Sequence, residues 1–78
     1  MPERIKRGER DIEKDVSPKQ FAAKLRRLAD AIEQDKRFRI QVAGERVSVP
    51  PDARISIEHE RGDGEEEIEF QLKWALDD

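Results

Sequence analysis

The chain has 78 residues, 35% apolar and 45% charged, which is enough for one small domain and leaves little to fill its core. It has no cysteine, so disulfides, thiolate metal sites and cysteine nucleophiles are excluded, and a reducing cytoplasm is the expected setting. The net charge of −3 disfavours general nucleic-acid binding, and the longest apolar runs, such as Phe21-Ala22-Ala23, are too short to cross a membrane.

Met1 is followed by Pro2, Glu3 and Arg4 rather than by an apolar stretch, so no targeting segment is read there. Residues 1–9, with Arg4, Lys6 and Arg7, are read as a flexible basic arm, and 10–76 as a single domain. Ile12 and Val16 share one face of an extended segment, with Lys14 between them, which predicts a weak edge strand.

Ser17-Pro18-Lys19-Gln20 is a helix start: a serine cap, a proline at the first helical position and a glutamine placed to return the capping bond. Phe21, Leu25, Leu28 and Ile32 then form one apolar stripe over about four turns. Lys19, Ala23, Arg26, Asp30 and Gln34 take the opposite face.

At Phe38 the period changes to two. Phe38, Ile40 and Val42 precede a turn at Gly44-Glu45, and Val47 and Val49 follow it. A two-residue loop there sets Val42 opposite Val47 and Ile40 opposite Val49. Pro50-Pro51-Asp52 ends this hairpin. A second one pairs Ile55 and Ile57 with Ile68, Phe70 and Leu72 around Gly62-Asp63-Gly64; loops of two or four residues both match the faces, so its register stays open. The expected architecture is α+β: one amphipathic helix on one face of a mainly antiparallel sheet of four to five strands, in the order β-α-β-β-β-β, with roughly twenty apolar side chains turned inward, enough for a marginal domain and leaving dimerisation through the sheet open.

Acidic and apolar residues alternate through Glu65-Glu66-Glu67-Ile68-Glu69-Phe70-Gln71-Leu72-Lys73 and end on Trp74. Together with the capped helix, the Val42-Ala43-Gly44-Glu45-Arg46-Val47 turn and Ile55-Ser56-Ile57-Glu58-His59-Glu60, this resembles the small prokaryotic amphi-Trp domain family from about residue 10 to residue 74. The chain departs from the usual pattern in its basic arm, in Lys14 within the first strand and in Lys73 before the tryptophan. The resemblance implies a short, freestanding, soluble protein and implies no reaction.

The residues offer little to catalysis. Tyrosine, threonine and asparagine are absent, His59 is the one histidine, and the three serines are a helix cap, Ser17, and two outward strand positions, Ser48 and Ser56. His59 is read as structural, set at the hairpin end against Ile68 or Glu66. The carboxylates near the second turn lack the loop spacing that calcium requires, so no metal or cofactor is expected.

Charge is unevenly spread: residues 1–50 hold 13 Lys+Arg against 9 Asp+Glu, net +4, and residues 51–78 hold 3 against 10, net −7. This favours a non-enzymatic protein-interaction or structural module whose partner is another protein or a second copy of the chain. Its contact residues would be Trp74, Glu58, Glu60, Glu67 and Glu69, although the phase of Trp74 also suits a core anchor against the helix. The alternative is nucleic-acid association through Arg4, Lys6, Arg7, Lys19, Arg26 and Arg27, but all four aromatics fall in core phase and leave no platform for stacked bases.

Overall fold

A computed structural model describes residues 9–76 as one helix and four strands: α1 (Pro18–Glu33), β1 (Phe38–Val42), β2 (Glu45–Val49), β3 (Arg54–Gly62) and β4 (Glu65–Lys73). The α+β class and the antiparallel pairing follow the sequence reading.

The start of α1 is built as its residues dictate. The Gln20 amide donates to Ser17 Oγ at 3.1 Å, and the Ser17 amide donates back to Gln20 Oε1 at 3.3 Å, a reciprocal capping box with Pro18 at the first turn. The helix ends in a left-handed residue, Asp35, with φ of 56°. Lys36 N donates to Ala31 O at 2.9 Å and Asp35 N to Ile32 O at 3.1 Å, so the last carbonyls are satisfied by a Schellman motif without glycine.

Both hairpins turn through two residues with positive φ, Ala43 (46°) and Gly44 (85°) in the first, Asp63 (51°) and Gly64 (77°) in the second. The first register differs from the expected one by two residues: the loop is Ala43-Gly44, so Phe38 faces Val49 and Ile40 faces Val47. A Gly44-Glu45 loop would set Phe38 and Arg39 against Pro51 and Pro50, which have no amide to donate to the ladder. In the second hairpin Ile55 faces Leu72, Ile57 faces Phe70 and His59 faces Ile68, which fixes the two-residue loop.

Three expectations are corrected. Residues 9–17 form no strand; the segment is held instead by the Arg10 side chain, which donates to Val42 O at 2.9 Å and pairs with the Glu45 carboxylate. Side-chain anchoring leaves its backbone outside any ladder, and Ile12 stays 53% exposed. The strands make two separate two-stranded sheets, β1-β2 and β3-β4, rather than one meander, because the proline pair and the turn closed by Ala53 N on Pro50 O interrupt the ladder between β2 and β3.

The inward burial of the apolar side chains is the third. Among the described residues only Phe38 and Val49 are buried apolar side chains. They sit opposite each other in the first hairpin, beside Leu28 and Ile32 of α1 and Ile55 and Leu72 of the second hairpin, around a cavity of about 30 Å³. The helix leans on β1, where the Arg27 guanidinium stacks 5.1 Å from the Phe38 ring centre and donates to Arg39 O at 2.6 Å.

Candidate functional site

The second hairpin is the longest strand pair and presents two chemically opposite faces. Alternation along β3 and β4 puts Ile55, Ile57 and His59 with Leu72, Phe70 and Ile68 on one side, and Ser56, Glu58 and Glu60 with Gln71, Glu69 and Glu67 on the other.

The apolar side is largely bare. Ile57 and Phe70, directly opposite each other, are each 65% exposed, and Ile55 and Ile68 are more than half exposed. Towards the turn this face becomes polar: Glu66 Oε2 accepts from Arg61 Nη2 at 2.8 Å and Nε at 3.2 Å and lies 2.8 Å from His59 Nε2. Those bonds, His59 first and then Arg61, hold the Glu66 carboxyl below its ordinary pKa. His59 is thus beside Glu66 and opposite Ile68, the neighbours expected for it, with its side chain about half exposed. No serine shares this face, since Ser56 points to the other, and no group of three His, Asp or Glu side chains among the described residues converges to hold a metal.

The acidic side brings the four predicted glutamates together. Glu58 faces Glu69 and Glu60 faces Glu67 across the ladder, a like-charge pairing that opposes sheet formation. Repulsion from Glu69 and then Glu60 raises the Glu67 pKa. A hydrogen bond shared with Glu58, then partial desolvation and the charges of Glu58 and Glu60, raise that of Glu69. Gln71 offsets part of this: its Nε2 donates to Glu58 Oε1 at 2.8 Å and to Glu69 Oε1 at 3.4 Å, while its Oε1 accepts from Ser56 Oγ at 3.2 Å. Gln71 has the outward phase of the glutamates, so its bridging role was legible once the register was known.

Strand β4 ends at Lys73, so the alternation that gave Trp74 its inward phase stops one residue short of it. Trp74 is 38% exposed and lines an open groove with Arg37, Ser48, Pro50, Asp52, Ala75 and Leu76.

The basic residues do not form one surface. Lys19 and Arg26 lie exposed on α1, whereas Arg27 is engaged by Phe38 and Arg39, and Arg4, Lys6 and Arg7 lie outside the described residues. Neither the Arg10 anchor nor the Arg27 stack has a local sequence signature; each joins positions eleven or more residues apart.

The capped helix, the two tight hairpins, and the acidic-apolar fourth strand running into Trp74 agree with a family model, the Amphi-Trp domain, which matches residues 1–78. The chain belongs to the Amphi-Trp domain family. No curated protein and no solved structure matches this Amphi-Trp domain. Among its described residues no helix is long and apolar enough to cross a membrane.

Proposed function

We propose that this Amphi-Trp domain is a non-enzymatic protein-interaction module that works through the apolar face of its β3-β4 hairpin. One observation carries the reading: Ile55, Ile57, Ile68 and Phe70 form a contiguous strip of large side chains, each more than half exposed, on a chain that is 45% charged. Contiguous apolar surface of this kind marks a contact site, because leaving it in water costs about 25 cal/mol per Å². The acidic reverse face supports the same role, since four glutamates in like-charge pairs keep that side in solvent or against cations and leave the apolar side to bind. The lack of cysteine fits action in a reducing cytoplasm.

The test compares Phe70→Ser and Ile57→Ser with Glu60→Gln in capture from source-cell lysate. Retained partners should be lost with the two apolar-face variants and kept with the acidic-face variant, and far-ultraviolet circular dichroism on each variant shows whether loss of the partner is accompanied by loss of the fold. Equal retention by all three would refute the reading. Retention of nucleic acid instead, falling steeply between about 50 and 200 mM salt, would transfer the role to Lys19 and Arg26 on α1.

A further inference from the structure

We infer that the occupant of the β3-β4 apolar face is a second copy of this chain, packed face to face across a twofold axis near Ile57 and Phe70. The inference rests on the interaction reading above and adds the identity of the partner.

The first argument is area. The chain exposes 7326 Å². A compact domain of the size of residues 9–76 exposes about 4,400 Å², and counting the ten terminal residues as fully exposed adds about 1,600 Å². About 1,300 Å² per chain remains above what a monomer of this length exposes. Permanent homodimers bury roughly 2,000–5,000 Å² over both partners, so the surplus is the size of one such interface.

The second argument is dependence. A two-stranded hairpin is marginal in water unless one face is covered, and here β3-β4 meets α1 and the first hairpin at one end, around the small cavity lined by Leu28, Ile32, Phe38 and Val49. With two buried apolar residues, the fold needs a partner that is present wherever the chain is. A second copy satisfies that at every concentration above the dissociation constant.

The third argument is complementarity. The strip is apolar at the base and centre of the hairpin and polar at its tip, where His59, Arg61 and Glu66 bond one another. A twofold that reverses the hairpin direction lets Ile57 and Phe70 of each copy meet at the centre, about 10 Å sheet to sheet, and leaves the tips at the rim. It also turns both glutamate ladders outward, away from the partner and into solvent.

The experiment has two readings of the same protein. Sedimentation of the unaltered chain at tens of micromolar should give twice the 9.1 kDa chain mass; a single-chain mass at every concentration up to millimolar overturns the inference. Separately, a photo-reactive phenylalanine analogue at position 70, with the same analogue at position 60 as the opposite-face control, is illuminated as pure protein and in source-cell lysate. A covalent dimer formed from position 70 and not from position 60 is the expected result. A dimer formed from position 60 alone, or a different protein captured at position 70, rejects the second copy at this face; the latter leaves the interaction reading standing. No product at position 70 in either sample rejects both.

Discussion

Among the described residues three occupy left-handed backbone without being glycine: Asp35, Ala43 and Asp63. Asp35 and Asp63 are tolerable because a short polar side chain lowers the cost of that conformation, whereas Ala43 relies on the glycine beside it to complete the turn. The Gly44 backbone sits at φ of 85° with nothing within 4 Å of where a Cβ would stand, so Gly44→Ala tests conformation free of any clash. The substitution should cost about 1 kcal/mol, read as a fall of roughly 4–8 °C in melting temperature, and Ala43→Asn should move it the other way. At the helix start, Ser17→Ala removes the acceptor for the Gln20 amide and should cost about 1 kcal/mol; the check is the melting temperature followed at the helical circular-dichroism band. Ser17 and Gln20 were recognisable from sequence because a cap is set by residues three apart. Asp35 was not, because its left-handed state is imposed by the carbonyls it helps to satisfy.

At the scale of elements, β3-β4 is held against its own charges. Glu67 and Glu69 ionise less readily in the hairpin than in the unfolded chain, so their repulsion acts at neutral pH and is relieved as pH falls through their raised pKa values. Glu66 has the opposite sign: its bonds to His59 and Arg61 stabilise the fold above the ordinary carboxylate pKa, and that contribution is lost as pH drops through its lowered value. Thermal stability should therefore rise on acidification from about pH 7 towards the raised values and turn down in more acidic solution. Glu60→Gln, which removes a charge facing Glu67, should flatten the rise and leave the acid-side fall in place; melting curves at several pH values for both proteins decide it. Strand identity, alternation and the two faces were legible because period two is a local property of sequence. The registers were decided by details of turn and proline chemistry that hydrophobic phase does not contain, since a shift of two residues preserves every face.

At the scale of the whole molecule, the apolar residues divide between a small core and a large open face. Phe38 and Val49 pair under α1, and on the open β3-β4 face Ile55, Ile57, Ile68 and Phe70 retain 55–65% of their surface. If two copies cover that face, folding is coupled to association, and the melting temperature of the unaltered protein should climb as its concentration is raised a hundredfold. A midpoint that does not move with concentration would contradict the coupling. The same coupling explains how a chain with 45% charged residues can hold a folded state: each copy supplies apolar cover that the other lacks.

By itself the sequence determined the helix, its capping box, the four strands, their antiparallel pairing in two hairpins and the segregation of acid from apolar along β4, because each depends on residues close together in the chain. Only the tertiary structure decided that Arg10, not a strand, ties down the first segment, that Arg27 spans α1 and β1, that Trp74 turns to a groove beside β2, and that two hairpins stand as separate sheets with one apolar face open. The physical reason is that burial phase states which side of an element avoids water. It does not state what covers that side, and in this chain the cover within residues 9–76 is small.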